Sequence, residues 1–152
     1  MAPPPKKLSY FEDYPVGRKF FTSTRTVTET DVVNYAGISG NWDPMHCDVE
    51  FAKTTRFGQR IVQGALTYSI AIGLTLRVPD AFGDVIANYG LDKMRFPQPV
   101  FINDTLRVEF DIAETMDHAQ GGILFYRHHV FNQRDEIACT FTQRVLIKRR
   151  PS

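Results

Sequence analysis

Over residues 105–112, apolar and polar side chains alternate. Leu106, Val108, Phe110 and Ile112 fall on one parity, and Thr105, Arg107, Glu109 and Asp111 on the other. A period of two marks a strand with one face buried. Ile137, Cys139, Phe141, Val145 and Ile147 repeat the pattern. Four runs read as strands, over 85–96, 105–114, 123–132 and 137–148, the second and last of them alternating, with turns at 117–122 and 132–135. Short turns between consecutive strands imply antiparallel pairing. Upstream the period changes. Residues 61–78 are apolar on most sides, interrupted by Gln63, Thr67, Ser69, Thr75 and Arg77. A bilayer span needs about 20 predominantly apolar residues, so this segment predicts a buried central helix over 63–77 instead. Before it, the turn signal Pro15-Val16-Gly17 leads into a strand over 20–27. Thr28 to Asp31 form a capping-box start to a short helix ending at Gly37. A loop over 39–44, a helical piece over 49–54 and a turn at Phe57-Gly58 complete the pattern. One helix with one curved antiparallel sheet around it is an α+β arrangement. It forms a single domain over 10–150, after a disordered lead-in over 1–9. Edge strands of such sheets pair across subunits, so a homodimer or higher homo-oligomer is expected.

Composition narrows the function classes. The chain has 152 residues, 43% apolar and 23% charged, enough for one domain with a core. A net charge of +1 gives no bulk attraction to nucleic acid. The tail Lys148-Arg149-Arg150 reads as a solvated end that is able to touch a phosphate. Cys47 and Cys139 make no disulfide framework and fit free thiols in a reducing cytoplasm. The start Met-Ala-Pro-Pro-Pro-Lys-Lys carries no apolar core of a secretory signal. No membrane partner is expected.

The chemistry concentrates in Gly40-Asn41-Trp42-Asp43-Pro44-Met45-His46-Cys47-Asp48. Pro44 stiffens the backbone between Asp43 and His46. A neutral imidazole takes or gives a proton near pH 7, and a nearby carboxylate orients it or shares the work. The alternative is that Asp43 caps the turn through an Asx contact and His46 is a loop residue. Downstream, Gly64 opens the central helix, whose first amides favour negative charge in front of them. Gly64 equally serves a tight turn into the helix. His46-Cys47-Asp48 lacks the spacing of a metal site, so no metal is expected. Adjacent His46 and Cys47 point apart, which argues against a nucleophile pair. His128 and His129 lie on opposite faces of a strand, one packed and one solvated.

These residues resemble the MaoC-like dehydratases, or (R)-specific enoyl-CoA hydratases. The match runs through Tyr35 to Asp48, Ala52, Phe57-Gly58, Ile61-Val62-Gln63-Gly64, and Lys93 to Val100 with Asp104-Thr-Leu. Tyr10 to Gly17 resembles the family's lead-in. The resemblance implies a hot-dog fold, built as a dimer, and an acyl-CoA thioester as substrate, with no separate cofactor. It implies water addition to a trans-2-enoyl-CoA giving an (R)-3-hydroxyacyl-CoA, or the reverse. In the family motif an Asp and a His hold the water, and a helix-start amide polarises the thioester carbonyl. The amide maps to Gly64. The motif's Asp position holds Asn41 here, and its following Asn position holds Asp43. An amide has no useful basicity. The expectation is therefore that Asp43 and His46 move protons, Asn41 positions water, and Gly64, Gln63 and Trp42 meet the substrate. Gln63 stands where the family often has His, and Trp42 either covers the acyl pocket or packs on its loop. The alternative from the same exchange is an acyl-CoA-binding protein or partner subunit without turnover.

Overall fold

The computed structural model describes residues 9–151. The lead-in expected over 1–9 falls almost wholly outside them. Six strands form the sheet: β1 (Lys19–Phe21), β2 (Arg25–Thr26), β3 (Val85–Arg95), β4 (Thr105–His118), β5 (Gly121–Phe131) and β6 (Ile137–Ile147). Their order is β1-β4-β5-β6-β3, with β2 also on β4, and every pairing is antiparallel. The helices are α1 (Glu29–Ser39), α2 (Pro44–Cys47), α3 (Val49–Thr54) and α4 (Gly64–Thr75).

The alternation in β4 is realised: Leu106, Val108, Phe110 and Ile112 are all buried. Their face meets Leu66, Ile70, Ala71 and Leu74 of α4 in one core. A row of rings crosses the sheet in register, with Phe20 opposite Phe110, Phe110 opposite His128, and His128 opposite Phe141. Successive centroids lie 4.9, 5.1 and 4.3 Å apart, all stacked. Tyr68 of α4 meets the last ring edge-on at 5.0 Å. The row ties four strands to the helix they curve around.

Three expectations are corrected. The strand over 20–27 is two strands, because the register slips by one residue between Phe21↔Glu109 and Arg25↔Leu106. There the Thr22 hydroxyl accepts from Val108 N at 2.9 Å, replacing a ladder bond. Helix α1 opens at the expected Thr28–Asp31 capping box but runs through Gly37 to Ser39. Its left-handed C-cap is Gly40, at φ 74°, the conformation in which only glycine is unstrained. The basic tail is not simply solvated: Lys148 pairs with Asp84, Arg149 with Glu12 and Asp117, and Arg150 with Asp13. Those carboxylates occupy the cations that were candidates for a phosphate.

Candidate active site

Asp43 and His46 sit at opposite ends of the one-turn helix α2. Asp43 is its N-cap, and one carboxylate oxygen accepts from Met45 N at 2.8 Å. Pro44 takes the first helical position, where its missing N–H costs nothing. Asn41 supports the cap from behind, its side-chain oxygen 3.4 Å from Asp43 N. Thus Asp43 makes the Asx contact that the residue pattern allowed, while its second oxygen has no hydrogen-bond partner among the described residues.

Two reciprocal bonds dock α2 on the segment that leads into α4. Ile61 N donates to Met45 O at 3.2 Å, and His46 Nδ1 lies 2.7 Å from Ile61 O. A carbonyl only accepts, so Nδ1 carries the proton and Nε2 is left as the basic nitrogen. Ile61 also bridges Phe101, and Val62 N donates to Val100 O at 2.8 Å. The chain then turns into α4. Its N-cap, Gln63, makes no side-chain cap bond, so the first amides of α4 lack the usual side-chain acceptor.

His46 and Gly64 line one cavity of about 280 Å³, together with Thr67, Phe96 and Gln98. The Phe96 ring rests on Gly64 so closely that a Cβ there would lie 3.1 Å from its Cζ. The other expected residues stand apart from this cavity. Gln63 is 1% exposed and donates to Val32 O at 3.3 Å, tying α4 to α1, and its Oε1 is buried without a partner. Trp42 is 56% exposed, and Asn41 and Asp43 are exposed as well. The cavity wall also contains Arg56, Phe57 and the Pro97-Gln98-Pro99 stretch, none of which the residue pattern marked as functional. Phe57 and the proline pair lay within the segments carrying the family resemblance, so a signal for them existed. Both cysteines are free. Burial pushes the Cys139 thiol up to about 12, far from nucleophilic.

Residues 12–128 match the family described as MaoC like domain. The chain belongs to this family. Its sequence is 41% identical over 99 residues to Protein MaoC of Klebsiella aerogenes, a stretch covering 65% of this chain and 29% of that protein. It is 33% identical to the 3-hydroxybutyryl-CoA dehydratase of Methylorubrum extorquens, over 73% of this chain and 68% of the relative. The chain thus spans under a third of the first relative's length and about two thirds of the second's. Among solved structures, the X-ray structure of an Archaeoglobus monoamine oxidase regulatory protein superposes with TM-score 0.90 at 40% identity, covering 95% of this chain and 97% of that one. A Mycobacterium tuberculosis protein with a double hot-dog fold superposes at 0.83 with 19% identity, over 95% of this chain and 46% of its own length. The architecture is the hot-dog fold of the MaoC-like domains.

Proposed function

We propose that this MaoC-like protein hydrates a trans-2-enoyl-CoA to an (R)-3-hydroxyacyl-CoA, or runs the reverse dehydration. The observation that carries the reading is the pinned ring of His46: with Nδ1–H given to Ile61 O, Nε2 is the nitrogen left to exchange a proton, on a residue that shares a cavity with Gly64 at the start of α4. In this scheme Nε2 takes a proton from water, and the oxygen bonds to Cβ of the enoyl group. The pair of electrons leaving the double bond passes through Cα to the thioester oxygen, where the Gly64 amide stabilises the charge. The imidazolium then returns the proton to Cα, so one water is added and no cofactor is consumed. Asp43 keeps one oxygen unspent on the cap and is assigned to the water beside His46, although neither it nor Asn41 lines the cavity wall. The dehydratase name of the Methylorubrum relative supports this reaction class.

The place of β3 in the sheet supports a homodimer. The strand lies at the sheet edge with β6 as its one neighbouring strand among the described residues, and Val85, Ile86, Tyr89 and Leu91 are exposed along it. Pairing of two such edges satisfies their free backbone groups. Two free thiols fit a cytoplasmic protein, and no helix among the described residues is long and apolar enough to cross a membrane.

The test follows crotonyl-CoA by loss of enoyl absorbance. Turnover is expected, and His46→Ala should abolish it. Asp43→Asn retains an N-cap, since Asn caps about as well as Asp, but removes the carboxylate. A large loss in Asp43→Asn is expected if Asp43 handles water. Full activity in that variant would reduce Asp43 to a cap, and binding of crotonyl-CoA without turnover would overturn the reaction itself.

A further inference from the structure

The wall of the His46 cavity carries one formal charge and no compensating one. Arg56 is the only Lys, Arg, Asp or Glu among its lining residues. Its neighbours along the chain are neutralised: Lys53 pairs with Glu50 at 2.7 Å and Arg60 with Glu29 at 2.6 Å. Arg56 has no carboxylate partner among the described residues. The turn that carries it is ordered, and its side chain rests on a neighbouring ring. The turn after α3 is closed by Gly58 N donating to Thr55 O at 3.1 Å and Phe57 N to the Thr55 hydroxyl at 3.3 Å. The guanidinium carbon lies 4.8 Å from the Phe57 ring centroid, and Phe57 lines the same cavity. A guanidinium over an aromatic face, with its donors unspent, is a preorganised receptor for a planar anion.

The scale of the cavity indicates which anion. At about 280 Å³ it lies just below the range of small-molecule sites, roughly 300–1,000 Å³. It admits an acyl group of a few carbons, not the long pantetheine arm as well. A charge in its wall is therefore near the acyl chain rather than the nucleotide. Lys93 and Arg95, the other cations on the adjoining strand, do not line it. We propose that Arg56 sets acyl specificity, selecting short enoyl thioesters whose acyl chain ends in a carboxylate, through a forked charge-assisted hydrogen bond. This inference rests on the hydration reading, which fixes the thioester at His46 and Gly64.

The experiment compares crotonyl-CoA with glutaconyl-CoA, which differs by a carboxylate on the terminal carbon. Wild-type protein is expected to prefer glutaconyl-CoA in kcat/KM. Arg56→Ala should lower that preference by about tenfold or more, as expected when a site built to bind a polar group loses its partner. Arg56→Lys should restore part of it. Arg56 is exposed, so the variants are expected to fold, and circular dichroism checks this. A wild-type preference for crotonyl-CoA overturns the proposal. So does an equal loss on both substrates in Arg56→Ala. If crotonyl-pantetheine, which lacks phosphate, then escapes that loss, Arg56 serves the coenzyme A phosphates instead. Absence of turnover on either thioester would strike the hydration reading alone. In that case calorimetric affinities for the two thioesters, with and without Arg56, decide the same question: equal affinities overturn the specificity, and a preference lost in Arg56→Ala supports it.

Discussion

Replacing His128 by Phe should flatten the acid side of the stability profile. The ring is fully buried between Phe110 and Phe141, at interplanar angles of 7° and 12°. Nδ1 donates to Tyr126 O at 2.9 Å, and Nε2 is buried with no partner. Burial holds its pKa down at about 3, against 6.5 for a free imidazole, and the bond to Tyr126 O offsets this only in part. The sign follows directly. Below pH 6.5 the unfolded chain binds a proton that the folded chain refuses until about pH 3. Stability is therefore complete above 6.5 and falls by about 1.4 kcal/mol per pH unit through that window. Between pH 7.5 and 5.0 the loss is about 2 kcal/mol, a large share of the roughly 5–15 kcal/mol that holds a domain together. His128→Phe keeps a three-ring stack and removes the titration. It leaves the Tyr126 carbonyl short of a donor, at about 1 kcal/mol, equally at both pH values. Urea unfolding of both proteins at pH 7.5 and 5.0 measures the difference. The variant should lose about 2 kcal/mol less than the wild type on acidification. Equal losses would refute the assignment of the acid sensitivity to this ring.

Gly64→Ala should raise KM for the thioester with little change in melting temperature. The added Cβ presses the Phe96 ring out of its 3.1 Å approach and narrows the cavity, while Ala favours the helix by up to about 1 kcal/mol; unchanged kinetics would show that the cavity is not the acyl site. Asp104→Ala should destabilise by about 2 kcal/mol in urea, a figure reduced because Arg134 is partly exposed. Asp104 accepts from Phe101 N at 2.9 Å, Gln133 at 2.6 Å and Arg134 at 3.0 Å. Burial pushes its carboxyl up, but these donors together hold it below 3.8. Its contribution is thus present at neutral pH and lost as pH falls through the lowered value; a midpoint unchanged at pH 7 would contradict this.

Much of the architecture was legible because it rests on short-range rules. Strand-like runs bounded by turns, alternating in β4 and β6, placed β3 to β6 within a few residues of their ends. The Thr28–Asp31 capping box placed the start of α1, and residues 49–54 formed the expected helix. Where local reading erred, a competing local demand was at work. Gly37 reads as a helix end, but the left-handed cap that ends this helix is at Gly40. Thr22 continued a strand pattern, but its hydroxyl took over a backbone bond and split the strand. The motif from Asn41 to His46 was visible as residue types, and with it the family.

By itself the sequence determined the sheet, the central helix and the family, since these follow from hydrophobic period and from motifs contiguous in the chain. Tertiary structure decided the site. The proton position on His46 depends on Ile61 O, fifteen residues away. One carboxylate oxygen of Asp43 was committed to a helix cap by the geometry of α2. The cavity gathers residues from 46 to 138, and only the folded sheet and helix bring them together. The charge of Arg56 is equally visible in the chain, but its lack of a partner is a fact of three dimensions. Ion pairing depends on which carboxylates the fold brings within reach, and the fold brings them to Lys53 and Arg60 instead.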